Sequence, residues 1–149
     1  MLALTKKTGY ALVAMSHLSK LEDGRLSSAR EIANLFDVPV SLLMNVLKQL
    51  ASAGYVESVR GARGGYRMAI DPETVSLADM VGVLEGPVRL AECLTEAAGD
   101  DTECTCQVMA KCPVIDPVHR VQRKLKDFLA SVTLGEIVNY PRASTENKG

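Results

Sequence analysis

The chain has 149 residues, 47% hydrophobic and 23% charged, with a formal net charge of −1. That balance supports a globular fold with a real core and excludes a disordered chain. No apolar run approaches the roughly 18 residues of a membrane span, and Met1-Leu2-Ala3-Leu4-Thr5-Lys6-Lys7 lacks the apolar stretch of a signal peptide, so a cytoplasmic protein without membrane association is expected.

Residues 5–21 read as a first helix, with Ala11, Met15, Leu18 and Leu21 at helical spacing and Gly24 beyond its end. Ser28-Ala29-Arg30-Glu31 fits a capping box opening a short helix that buries Ile32, Ala33, Leu35 and Phe36. Asp37-Val38-Pro39 turns the chain, because proline disfavours helix in the residue before it. Ser41 is the expected N-cap of a third helix running to Ala53, with Gly54 as its C-terminal stop. Leu43, Val46, Leu47 and Leu50 form its apolar face, leaving Ser41, Leu42, Met44, Asn45 and Lys48 largely elsewhere. Two short helices joined by a tight turn follow the helix-turn-helix plan, in which the second helix enters the major groove.

Tyr55–Val59 alternates like a strand and Tyr66–Ile70 is its expected return. The intervening loop, Arg60-Gly61-Ala62-Arg63-Gly64-Gly65, is basic and glycine-rich, as a DNA-gripping wing would be. Gly64 and Gly65 are expected to supply positive-φ conformations and a close backbone approach to DNA. Residues 1–70 carry nine Lys/Arg against five Asp/Glu, a net of +4, whereas residues 71–149 carry a net of −5. The first half can therefore meet phosphate while the second stays away from it.

Ser76 opens a further helix ending near Glu85-Gly86-Pro87, and residues 94–111 read as an acidic, cysteine-bearing loop. A long helix is expected from about Pro113. Val118, Val121, Leu125, Phe128 and Val132 step by 3, 4, 3 and 4 residues along it, a seam suited to a homodimer or to packing on its own domain. Thr133-Leu134-Gly135-Glu136 caps a last short helix, and Arg142–Gly149 is an expected loose tail.

All four cysteines, Cys93, Cys104, Cys106 and Cys112, lie within twenty residues in the spacing C-x10-C-x-C-x5-C. In a reducing compartment such a cluster points to metal or thiol chemistry rather than structural disulfides. The pattern lacks the C-x2-C knuckles of a zinc ribbon, and thiolates suit iron–sulfur clusters, zinc or copper(I). A redox C-x-x-C motif and a placeable cysteine–histidine pair are both missing, so an enzyme is not expected.

Leu4-Thr5 with Tyr10-Ala11-Leu12, Val59-Arg60-Gly61 with Gly64-Gly65-Tyr66, the cysteines that follow, and Val132-Thr133-Leu134-Gly135-Glu136 together resemble the Rrf family of winged helix-turn-helix iron–sulfur transcriptional regulators. The resemblance runs through nearly all of residues 1–140. It implies a mainly α fold with a small β-hairpin wing and a long C-terminal dimerisation helix. The implied partner is a double-stranded DNA operator read by a homodimer. The groove-facing positions would be Ser41, Leu42, Met44 and Asn45, with Lys48 nearby and Arg60, Arg63, Gly64 and Gly65 in the wing. Asn45 can read adenine through its amide, and the arginines can reach phosphate or a narrow minor groove. Some relatives carry glutamate at the position of Met44, so no sequence preference transfers.

The family's three ligand cysteines correspond to Cys93, Cys106 and Cys112. Relatives take a fourth ligand from a histidine three residues after the last cysteine or from an acidic residue in the partner's first helix. Ile115 and Gly9 stand at those positions here, so Cys104 becomes the implied fourth ligand, while His119 and His17 are read as surface and structural residues. The implied cofactor is an iron–sulfur cluster, 2Fe–2S in preference to 4Fe–4S. A cluster-free, thiol-redox or zinc-responsive DNA-binding regulator is the alternative. The expected organisation is a DNA-binding region over 1–86, a cluster loop over 87–112, a dimerisation helix and short terminal helix over 113–140, and a tail over 141–149.

Overall fold

A computed structural model describes residues 4–91, 93–94 and 106–140. In chain order the helices are α1 (Lys6–Leu18), α2 (Ala29–Phe36), α3 (Val40–Ser52), α4 (Leu77–Glu85), α5 (Ile115–Ser131) and α6 (Leu134–Val138). Strands β1 (Val56–Val59) and β2 (Gly65–Met68) fall between α3 and α4, and 3₁₀ turns occupy Pro72–Thr74 and Met109–Lys111. The fold is therefore mainly helical with a two-stranded antiparallel hairpin, as the sequence implied.

Side-chain caps set several helix starts. Ser28 Oγ accepts from the Glu31 amide at 3.1 Å, and Thr133 Oγ1 accepts from the Glu136 amide at 3.1 Å. At α4 the capping box is complete, Ser76 and Asp79 each satisfying the other's backbone amide. The third helix departs from expectation. It begins at Val40 with Pro39, not Ser41, in the N-cap position. Asp37 has already reversed the chain with a left-handed φ of 53°, and Pro39 holds a helix-compatible φ of −59°. At its other end Gly54 takes φ 82° just after the C-cap, the left-handed stop that glycine supplies without a Cβ penalty.

One core gathers α1, α2, α3, α4 and α6. Met15, Ile32, Leu43, Leu47, Leu50, Met80 and Leu134 are its largest fully buried side chains. Burying each such residue contributes roughly 1.5–3 kcal/mol, so the alternation of buried and exposed positions on α3 fixes which face it turns outward. Helix α6 belongs to this core through Leu134 and Val138. The entry to α6 pairs with the entry to α4, Leu77 donating to the Val132 carbonyl and Leu134 to the Val75 carbonyl, both at 2.8 Å. Val132, the last member of the expected seam, is thus extended and outside α5, whose helix ends at Ser131. Helix α5 lies against α4 and buries little: among its described residues only Gln122 is buried.

Candidate nucleic-acid interface and cysteine segment

Leu43, Val46, Leu47 and Leu50 hold α3 against the core, which turns Ser41, Leu42, Met44, Asn45 and Lys48 to the outside. Leu42 and Met44 are 49% and 41% exposed, apolar side chains left on the surface of an otherwise well-buried helix. Beside them a cleft of about 560 Å³ separates α3 from the start of α1. Asn45, Leu42 and Gln49 line one wall; Lys6, Lys7 and Tyr10 line the other. Lys6, Tyr10 and Gln49 have no place in the DNA-binding face expected from the sequence. Their one local signal, a lysine pair opening an amphipathic helix, carries no information about which helix stands opposite.

The start of α1 is fixed by the end of α4. Thr8 Oγ1 donates to Glu85 at 2.8 Å, Thr5 Oγ1 donates to the same carboxylate, and Lys7 Nζ donates to the Leu84 carbonyl. The Thr5 hydrogen bond is the main reason the Glu85 carboxyl sits below the usual carboxylate range; the Thr8 bond and the Lys7 charge act the same way, and partial burial opposes them.

The hairpin pairs Val56 with Met68, Glu57 with Arg67, Ser58 with Tyr66 and Val59 with Gly65. Arg67 is engaged across the strands by Glu57 at 2.8 Å, and that bond holds its guanidinium firmly charged. Arg60 and Arg63 stand exposed at the tip.

The wing glycines do not supply the backbone conformation expected of them. Neither Gly64 nor Gly65 has positive φ; that conformation belongs to Gly61, at φ 125°. A Cβ on Gly64 would lie 2.2 Å from the Val59 carbonyl oxygen, and one on Gly65 would lie 2.8 Å from the Ser27 carbonyl oxygen. Both glycines are demanded by close approach of the protein's own backbone. At Gly65 the neighbour is the short bridge that ties the wing to the start of α2: Ser27 donates to the Tyr66 carbonyl at 3.0 Å and Tyr66 donates to the Ser27 carbonyl at 2.8 Å. Ser27 is itself buried, its hydroxyl 3.1 Å from His17 Nε2, and the His17 ring meets Phe36 edge-on at 5.9 Å. His17 is thus structural, as expected.

Cys93 and Cys112 are half-buried and Cys106 is exposed, all three as free thiols. Cys104, the expected fourth ligand, lies outside the described residues. His119 is exposed on α5. Soft, accessible thiols are the donor type a cluster needs. Among the described residues, however, no three histidine, cysteine, aspartate or glutamate side chains stand together as a metal-holding group.

A sequence model of the Rrf2 family, described as an iron-dependent transcriptional regulator, matches residues 4–140. The chain belongs to the Rrf2 family. Rrf2 regulators are DNA-binding transcriptional regulators, not enzymes. Solved structures agree. The structure of CymR, the global cysteine regulator of B. subtilis, is 28% identical, covering 95% of this chain and 99% of its own, with a TM-score of 0.67. The oxidized form of CymR from Staphylococcus aureus is 25% identical, covering 95% and 100%, with a TM-score of 0.69. IscR from T. potens is 25% identical, covering 93% and 87%, with a TM-score of 0.65. Among the described residues, no helix of this Rrf2 protein is long and apolar enough to cross a membrane.

Proposed function

We propose that this Rrf2 protein is a homodimeric regulator whose affinity for a double-stranded DNA operator is set by the chemical state of Cys93, Cys104, Cys106 and Cys112. The DNA half of the reading rests on one observation above the rest. The exposed face of α3 and the wing tip with Arg60 and Arg63 are joined through the fold, because the Ser27–Tyr66 bridge ties the wing to the entry of the helix-turn-helix. Ser41, Leu42, Met44, Asn45 and Lys48 would meet the major groove. Arg60, Arg63, Gly64 and Gly65 would lie along the adjoining backbone or minor groove. The exposed apolar stripe of α5, with Val121 and Phe128 55% and 62% exposed, would be covered by a second copy of the chain.

The state-setting group in this reading is an iron–sulfur cluster, 2Fe–2S in preference to 4Fe–4S, held by the four cysteines. The family description as iron-dependent supports it, as does the clustering of every thiol between α4 and α5. A second reading is a thiol-redox or zinc-responsive switch without iron. Likeness to the oxidized form of CymR supports that one. Iron and acid-labile sulfide analysis of anaerobically purified protein separates them. About two or four of each per chain, lost on Cys93→Ser, Cys106→Ser or Cys112→Ser, supports the cluster. Iron-free protein that reversibly loses titratable thiols supports the switch. On this reading residues 1–86 bind DNA, 87–112 sense, and 113–140 pair the two subunits, with 141–149 as a tail.

A further inference from the structure

Helix α5 is lined with charged residues that face solvent, yet one polar side chain on it is buried. Gln122 is 6% exposed, and its amide is fully used: Oε1 accepts from the Leu90 amide at 2.8 Å, and Nε2 donates to the Val88 carbonyl. Accepting from an N–H and donating to a C=O two residues apart is what a neighbouring β-strand would do. One side chain therefore stands in for a missing strand and pins Val88–Leu90, which has no regular structure of its own, against α5.

This attachment lies at the mouth of the cysteine segment. Just beyond Leu90 the chain turns, Leu94 donating to the Ala91 carbonyl at 3.1 Å, and Leu94 is buried. Cys93 sits between these two anchors. At the segment's other end Cys112 stands three residues before α5 begins at Ile115. The segment thus leaves α5 at Gln122 and rejoins it at Ile115, two helical turns or about 10 Å away. It carries a thiol next to each attachment. Leu90, held by the Gln122 contact, also walls an apolar cavity of about 420 Å³ with Val114, Pro117, Val118 and Val121. Val118 and Val121 belong to the stripe assigned to the partner subunit.

We propose that Gln122 is the positioning residue through which the state of the cysteines reaches α5. A bond that ties Cys93 to Cys112 closes a ring through Leu90, the Gln122 amide and the first two turns of α5. Strain in that ring falls on Leu90, and so on the niche beside Val118 and Val121. Without the amide Leu90 is no longer held to α5, and the thiols can change state without moving the niche on the α5 face. The proposal rests on thiol control of DNA binding.

The test uses the full chain and its Gln122→Leu variant, which removes both hydrogen bonds and keeps the approximate shape. Operator affinity is measured for reduced, metal-free protein, and again after anaerobic iron–sulfide loading and after diamide oxidation. Hydrogen exchange at the Leu90 amide is followed alongside. In the variant that amide is expected to exchange about tenfold faster. Wild-type affinity should differ about fivefold or more between thiol states, and the variant's less than about twofold. A variant that keeps the wild-type ratio with its Leu90 amide released overturns the proposal. So does an unchanged Leu90 exchange rate. A wild-type protein with one affinity in every thiol state overturns thiol control itself, and the role of Gln122 with it. Should Gln122→Leu not fold, Leu90→Pro removes the N–H from the other side of the contact without altering any helix, and the affinity ratio between thiol states then decides alone: a variant that keeps the wild-type ratio overturns the proposal.

Discussion

Gly65→Ala places a methyl group 2.8 Å from the Ser27 carbonyl oxygen and 2.9 Å from its carbon, backbone atoms that cannot swing aside. To relieve the contact, the Ser27–Tyr66 bridge must open. Its two backbone hydrogen bonds are worth about 1 kcal/mol each, and added crowding raises the loss to roughly 2–3 kcal/mol. For a chain of this size that is a fall in Tm of roughly 6–9 °C. Because the bridge ties the wing to α2, operator affinity should fall in melts and binding assays run on the same preparation. Gly82→Ala provides the opposite case. Gly82 lies exposed inside α4 with no atom near its would-be Cβ, so alanine should raise stability by roughly 0.5–1 kcal/mol. An unchanged Tm in Gly65→Ala with full operator affinity would refute the reasoning, since the wing would then be free to move away from α2 at no cost.

Arg60→Ala should leave thermal stability unchanged, because the side chain is exposed at the wing tip, but lower operator affinity and reduce its salt slope by about one ion. Equal affinity at every salt concentration would remove Arg60 from the interface. Phe128→Asp should give folded monomers in sedimentation, since Phe128 is 62% exposed in the single chain and a carboxylate there is costly only against a partner. A stable dimer would place the interface elsewhere. The Glu85 carboxyl is held low by Thr5, Thr8 and Lys7, so it contributes stability above the ordinary carboxylate range and loses it as pH falls through its lowered value. Urea midpoints of the wild type should therefore drop more on acidification than those of Glu85→Gln; parallel curves would mean that the contact does not persist in solution.

The local chemistry of the fold was legible in the sequence wherever one segment decides it. Leu43, Val46, Leu47 and Leu50 show the buried face of α3 by period alone, and Ser28, Ser76 and Thr133 cap the helices they were expected to open. Readings failed where distant backbone decides. Gly64 and Gly65 look like positive-φ turn residues, but Gly65 answers to Ser27, which is adjacent only after the wing folds back on α2. Gln122 carries no signal of its own in the sequence, because its partners lie more than thirty residues away. Lys6 and Tyr10 face Asn45 and Gln49 across a cleft that exists only once α1 packs on α3. The cysteine spacing was plain in the sequence, but spacing along the chain does not fix distance in the fold, and the three described thiols do not stand together in a metal-holding group.

Thiol control of operator binding is tested most directly by one titration. A duplex selected from random sequence with the anaerobically purified protein is titrated with that preparation, before and after its thiols are changed by cluster removal or diamide oxidation. An affinity difference in the range of about 5–150-fold is expected, abolished by Cys93→Ser and Cys112→Ser. Identical binding curves for the two states would contradict it.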